Sequence, residues 1–242
     1  MSVKRNCRDD GPGHIFHVTS RVNWQAWHLD EDAPKALLAQ LIREAAERFG
    51  VTILVGVLMS NHIHLIVQSP PLALYRRLTG RVTSCRHFRA WPDGHANTSV
   101  LSRFMRRIRH RMSIMRQSEL GLTGHFWDSS FHAAPVIDPL SLVVRIAYDH
   151  RNPVKANMVQ APEDYVWSSA AEWATGTKGR MPISLDATFP FGLSKAELHE
   201  MVFRYQQPAL DLRGDELAEV FQMPPEESAA ALRKLFEDHG LL

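Results

Sequence analysis

A chain of 242 residues accommodates one domain of about 130–170 residues with an appendage. Its 45% hydrophobic and 22% charged residues, with 13 Gly and 14 Pro, exclude disorder, collagen and coiled coil. The longest apolar stretch, Ile53 to Met59, is far short of the roughly 20 residues that cross a bilayer, so no membrane span is expected. The polar start MSVKRNCRDDGPGH lacks the apolar core of a signal peptide, and a cytoplasmic location is expected. Cys7 and Cys85 are too few for a disulfide framework or a cysteine zinc site.

His14 to Val22, rich in β-branched and aromatic residues, reads as a first strand. From Asp32, the expected N-cap, Leu37, Leu38, Leu41, Ile42, Ala45 and Phe49 recur at three- and four-residue spacing until Gly50, which predicts an amphipathic helix. Val51 to Met59 and His62 to Gln68 predict a β-hairpin turning at Ser60-Asn61, closed off by Pro70-Pro71. A basic helix is expected over about Leu72 to Ala90, then a loop. A second basic helix, over about Val100 to Leu120, is capped by Thr98 or Ser99 and carries Leu101, Phe104, Ile108, Met112 and Met115 along one face. Phe131 to Ile137 predicts a strand, and Pro139 to Asp149 a helix that stops before Asn152-Pro153.

The order β-α-β-β-α-β predicts an α+β, ferredoxin-like fold: a four-stranded antiparallel sheet with helices on one face. The domain is expected over residues 11–173, a linker over 174–194, and a small acidic helical region over 195–242. Charge is segregated along the chain. Pro71 to Arg116 holds eleven Arg, no Lys and one acid, Asp93, for a net +10, which leaves −8 on the remaining residues. Arginine's planar fork suits phosphate, so nucleic acid is a candidate partner, against the alternative of a solvated face neutralised by acids elsewhere.

The sharpest motif is Asn61-His62-Ile63-His64-Leu65-Ile66-Val67. On a strand, alternate side chains share a face, so His62 and His64 project together while Ile63 and Leu65 enter the core behind them. Two imidazoles on one face can chelate a divalent ion, although a surface pair on a half-buried strand looks the same in sequence. The other histidines have no strand partner and read as exposed or satisfied within the core. Trp127, Trp167 and Trp173 read as buried packing.

Four segments in order, GHIFHVTSRV (13–22), FGVTILVGVLMSNHIHLIVQ (49–68), LTGHFWDSSF (122–131) and RIAYDHRNPVKANMVQAPEDYVWSS (145–169), resemble the single-tyrosine His-hydrophobic-His transposases of the IS200-like and REP-associated kind. The resemblance covers about residues 11–173. It implies a ferredoxin-like fold, a homodimer, and cleavage and rejoining of hairpin-forming single-stranded DNA. His62, His64 and a polar helix residue would hold Mg²⁺ or Mn²⁺, and a helix-borne tyrosine would attack the phosphate.

Counting back about twelve residues from Gly124 places the family's tyrosine at Met112, and no Tyr occurs between Pro92 and Asp128. On that count the nucleophile is missing. The alternatives are then a catalytically silent descendant that binds folded single-stranded DNA or RNA as a regulator, and a hydrolase using metal-bound water. Gln117 is the candidate third metal ligand; Tyr148 and Tyr165 read as packing residues. Arg76, Arg77, Arg81, Arg103, Arg106, Arg107, Arg109 and Arg111 are the candidate nucleic-acid contacts.

Overall fold

The computed structural model of the protein describes residues 11–79, 99–184, 190–194, 196–198, 200–202, 217 and 219–238. Strands β1 (Ile15–Arg21), β2 (Thr52–Leu58), β3 (His62–Gln68) and β4 (His132–Val136) form one antiparallel sheet in the order β2-β3-β1-β4. This is the ferredoxin-like arrangement expected from the element order. In register, Thr19 of β1 lies opposite His64 of β3 on one side and His132 of β4 on the other, and Arg21 lies opposite His62.

Alternation along the strands sorts the core into two layers. Phe16, Val18, Ile63, Leu65 and Val67 pack beneath α1 (Asp32–Phe49) and the long α3 (Val100–Leu120), where Leu38, Ile42, Phe104, Ile108 and Met112 meet them. Ile15, Ile66 and Val136 face the other way. They pack against Leu142, Val143 and Ile146 of α4 (Pro139–Lys155) and against Phe221, Leu232 and Phe236 from the C-terminal region, whose last helix, α6, spans Pro225–Asp238. The two expected ferredoxin-like helices thus lie on one face, while α4 and the C-terminal residues cover the other.

Local signals account for most boundaries. Gly50 ends α1 with φ 61°, its N–H donating to the Ala46 carbonyl. Ser99 caps α3 by accepting from the Ser102 N–H at 3.1 Å. The N-cap of α1 is Glu31 rather than Asp32; the Asp32 carboxylate instead accepts the Trp167 indole N–H at 2.6 Å. The first basic helix, α2, is described over Leu72–Thr79, and its expected continuation lies outside the described residues.

Helix α4 corrects the sequence expectation most clearly, because it runs through Pro153 to Lys155 instead of stopping before Asn152. Proline offers no N–H to the carbonyl four residues back, here that of Asp149. The Asn152 side-chain amide supplies the missing donor, reaching the carbonyls of Tyr148 at 3.1 Å and Asp149 at 3.4 Å. The Asn-Pro pair therefore carries the helix one turn further.

Trp127, Trp167 and Trp173 are buried, as packing requires, and the Trp173 indole donates to the Leu54 carbonyl. A short helix, α5 (Ala170–Thr175), follows Ser169, whose hydroxyl ties three elements together. Its oxygen accepts the Gly56 N–H of β2 at 3.1 Å, and the hydroxyl hydrogen-bonds Nε2 of the buried His150 on α4 at 2.9 Å.

Burial lowers the His150 pKa to about 4, so its ring is neutral near pH 7. The unfolded chain takes up this proton near pH 6.5 and the folded chain does not until about pH 4. Stability is therefore full above pH 6.5 and declines as pH falls toward 4. Replacing His150 by Gln, which can still hydrogen-bond Ser169 but does not titrate, should flatten this part of the pH profile in urea unfolding. An unchanged profile would assign the loss to other groups.

Candidate active site

The sheet face covered by α4 carries a cleft of about 350 Å³ in which His62 and His64 of β3, His17 and Arg21 of β1, His132 of β4, Tyr148 of α4, and Phe221 and Gln222 meet. Side-chain alternation on β3 brings the two sequence-predicted histidines here, their ring centroids 5.0 Å apart. It also sends Ile63 and Leu65 into the opposite core layer, as expected.

The chemistry of the site turns on Asp149, fully buried on α4. One of its carboxylate oxygens lies 2.9 Å from His17 Nε2 and 3.0 Å from His64 Nδ1. Because a carboxylate only accepts, both facing ring nitrogens are the N–H of their tautomers. Burial opposes ionisation of Asp149, yet the charge and hydrogen bonds of His17 and His64 hold its pKa below the usual carboxylate range. On the far side of His17, the Arg145 guanidinium reaches Nδ1 at 3.3 Å and Ser228 Oγ of α6 at 3.3 Å. Burial lowers the Arg145 pKa to about 10, so it remains charged at neutral pH and balances Asp149.

His62 repeats the pattern. Its Nδ1 lies 2.6 Å from the Asn61 side-chain oxygen, an acceptor, which makes Nδ1 the N–H and leaves Nε2 with its lone pair. Burial, then the neighbouring His64 and Arg21, lower the His62 pKa to about 3, so the ring is neutral under ordinary conditions. In both histidines of the motif Nδ1 thus faces an outer oxygen, from the Asn61 side chain or the Asp149 carboxylate. An outer oxygen that fixes the ring in this way is the usual support of a metal-ligating histidine.

The residues fit a divalent ion in either of two neighbouring sets. His17, His64 and Asp149 each offer a ligand atom within 4.8 Å of the others, all buried. His62 and His64 line the cleft and could ligate through Nε2, with Asp149 as the orienting group of His64. The hydrogen bonds favour the second set, because in it no Nδ1 contact of the two rings has to break.

Placement overturns one sequence expectation and extends another. Met112 does not face the histidines: it is wholly buried on the other side of the sheet, in the layer of α1 and α3. The reason is strand alternation, since the residues of β3 that touch α3's layer are Ile63 and Leu65. Tyr148, expected to be a packing residue, does pack against the core layer of α4 but also lines the cleft, its ring 6.3 Å from that of His64 and next in sequence to Asp149. Phe221 meets the Tyr148 ring edge-on at 5.2 Å, and the Lys155 ammonium lies 4.6 Å from its centroid. Tyr165 does pack, its hydroxyl donating to the Leu58 carbonyl.

Gln117 is not brought to the histidines; its amide donates to the Gly124 carbonyl at 2.7 Å and lines a separate hollow with Arg109 and His125. His17 was legible only as a strand residue, and pairing with β3 turns it into part of the site. Among the arginines, Arg111 pairs with Glu44, Arg103 reaches the Leu78 carbonyl and stacks on Phe49, and Arg109 reaches the Ser129 carbonyl and stacks on Trp127. Arg77 and Arg106 are exposed and Arg107 half-exposed. Only the backbone of Arg76 is described, and Arg81 lies outside the described residues.

With this geometry in place, the chain can be set beside known proteins. Residues 13–89 match the family described as transposase IS200 like, the kind of protein that the sequence motifs resemble. The structure is similar to that of a REP-associated tyrosine transposase bound to a REP hairpin, at a TM-score of 0.51 and 18% identity, covering 80% of this chain and 98% of that one. At that identity the likeness concerns the fold. A candidate transposase from Deinococcus radiodurans R1 aligns at a TM-score of 0.33 and 13% identity, over 65% of this chain and 98% of that one. No curated protein matches the chain. Among the described residues, no helix is long and apolar enough to cross a membrane.

The two ligand sets are separable by Mn²⁺ titration. His62→Ala and His64→Ala should abolish measurable binding, and Asp149→Asn should weaken it about 10- to 100-fold by freeing the His64 ring. Loss in His17→Ala with full retention in His62→Ala would place the ion in the buried set instead.

Proposed function

We propose that this protein cleaves and rejoins hairpin-forming single-stranded DNA as a transposase, with Tyr148 as nucleophile and His62 and His64 as ligands of Mg²⁺ or Mn²⁺. The observation that carries the reading is the meeting of Tyr148 with both motif histidines in one cleft, on the face opposite Met112. The silent-descendant alternative rested on Met112 occupying that place.

When bound, the ion would polarise the scissile phosphate and neutralise charge in the transition state. The Tyr148 oxygen attacks phosphorus, the bond to the 3′ oxygen of the upstream nucleotide breaks, and a 5′-phosphotyrosine and a free 3′-hydroxyl result. Attack by another 3′-hydroxyl reverses the step. One phosphodiester replaces another throughout, so no energy cofactor is needed. Lys155 supplies positive charge beside the attacking phenol, and Phe221 limits the orientations of its ring. Asp149 holds the His64 ring with Nε2 toward its task, and Asn61 does the same for His62.

The exposed Arg77 and Arg106 and the half-exposed Arg107, on α2 and α3, are the surface candidates for binding phosphate, whereas Arg103, Arg109 and Arg111 serve interactions within the fold. A homodimer is carried by the family resemblance.

A denaturing gel of the protein with hairpin-bearing single strands and Mn²⁺ should show a covalent adduct that Tyr148→Phe removes. Adding Met112→Tyr to Tyr148→Phe should not restore it; an adduct that persists in Tyr148→Phe would refute the assignment. Arg106→Ala with Arg107→Ala should flatten the salt dependence of single-strand binding by about 0.7 in logarithmic slope for each phosphate that an arginine no longer neutralises. An unchanged slope would turn this helix face away from DNA.

A further inference from the structure

The turn between β1 and α1 displays two tryptophans that the fold does not use. Trp24 is 90% exposed and Trp27 69% exposed, on a single-turn 3-10 helix at Asn23–Gln25 and just beyond it. A large aromatic surface left in water is more informative than an exposed aliphatic residue, because tryptophan is the side chain with most to gain by burial or stacking.

The turn is also held in an unusual shape. Trp24 (φ 56°, ψ 18°) and Gln25 (φ 53°) are consecutive non-glycine residues in the left-handed region, a conformation that persists only when its surroundings impose it. Here they do. The Trp24 N–H donates to the Asn23 side chain, the Gln25 N–H to the Val22 carbonyl, and the Asn23 amide to the His125 carbonyl. Leu29, fully buried, anchors the far end through its N–H to the Ser60 carbonyl.

One side chain joins this turn to the candidate active site. Asn61 donates through Nδ2 to the Gln25 carbonyl at 3.0 Å and accepts from His62 Nδ1 at 2.6 Å. Arg21, exposed at the end of β1 and lining the histidine cleft, lies directly before the turn. The turn that carries the tryptophans is therefore tied to a cleft histidine through Asn61 and directly follows a positively charged residue of the cleft lining. Its occupant needs flat, unpaired aromatic faces and a negative backbone.

We propose that Trp24 and Trp27 form a stacking platform for unpaired bases of single-stranded DNA flanking the hairpin, beside the strand that enters the cleft. The inference rests on the proposed DNA-processing function for the identity of the strand. Duplex bases are already stacked and hidden, whereas every unpaired base has a free face, so the platform favours single-stranded flanks with little sequence preference.

The test measures fluorescence anisotropy in EDTA, which prevents cleavage, with three labelled oligonucleotides: a hairpin with a single-stranded flank, the same hairpin without it, and unstructured oligo-dT. In Trp24→Ala/Trp27→Ala, affinity for the flanked hairpin and for oligo-dT should fall about 10-fold or more, as expected when stacked bases lose their support. Affinity for the bare hairpin should stay within about 2-fold, and Trp24→Phe/Trp27→Phe should recover most of the deficit. Equal losses on all three DNAs, or none, would overturn the platform. So would a shift from dimer to monomer in sedimentation with unchanged DNA affinity, which would make the surface an interface between copies. If the wild type binds neither hairpin but the alanine variant loses oligo-dT affinity, the hairpin function fails and the platform stands; no binding to any of the three overturns both.

Discussion

A single buried carboxylate organises the active face of this protein. Asp149 accepts from His17 on β1 and His64 on β3 with one oxygen, so it clamps the two central strands of the sheet to α4 at one point. Leaving an ionised group there without partners would cost several kcal/mol, and the two ring N–H donors together with the charged Arg145 are what make it tolerable. The same arrangement fixes the orientation of the His64 ring, with Nδ1 toward the carboxylate. Structural satisfaction of Asp149 and readiness of His64 to ligate are one and the same constraint.

The position of Asp149 also determines that of its neighbour in sequence. A helix that turns Asp149 into the sheet presents Tyr148 about 100° around its axis, at the edge of the same cleft rather than in the core. Extending α4 through Pro153 keeps Lys155 on the helix and near that ring, and the Asn152 amide makes the extension possible. A proline that looks like a stop signal thus contributes to the site by where it lets the helix end.

The C-terminal region is built into this face. Phe221 packs on Arg145 at 4.1 Å and on Tyr148 at 5.2 Å, Ser228 meets the Arg145 guanidinium, and Leu232 and Phe236 complete the core of α4. Residues beyond the ferredoxin-like elements therefore shape the environment of the tyrosine and shield the buried charges from water.

Local patterns in the sequence were enough for the elements and for half of the site. The hairpin, α1 and α3 follow from apolar spacing, and His62 with His64 follows from the two-residue period of a strand, because these signals depend only on neighbours along the chain. Strand pairing decided the rest. His17 became a site residue only through the register of β1 against β3, and Asp149 only through the face on which α4 packs. Counting along the chain pointed to Met112 because α3 is a long helix at a plausible distance, yet one-residue alternation on β3 puts α3 and the histidines on opposite sides of the sheet. Tyr148 was visible as a letter from the start; its role depended on which face of the sheet its helix covers, and local periodicity carries no information about that choice.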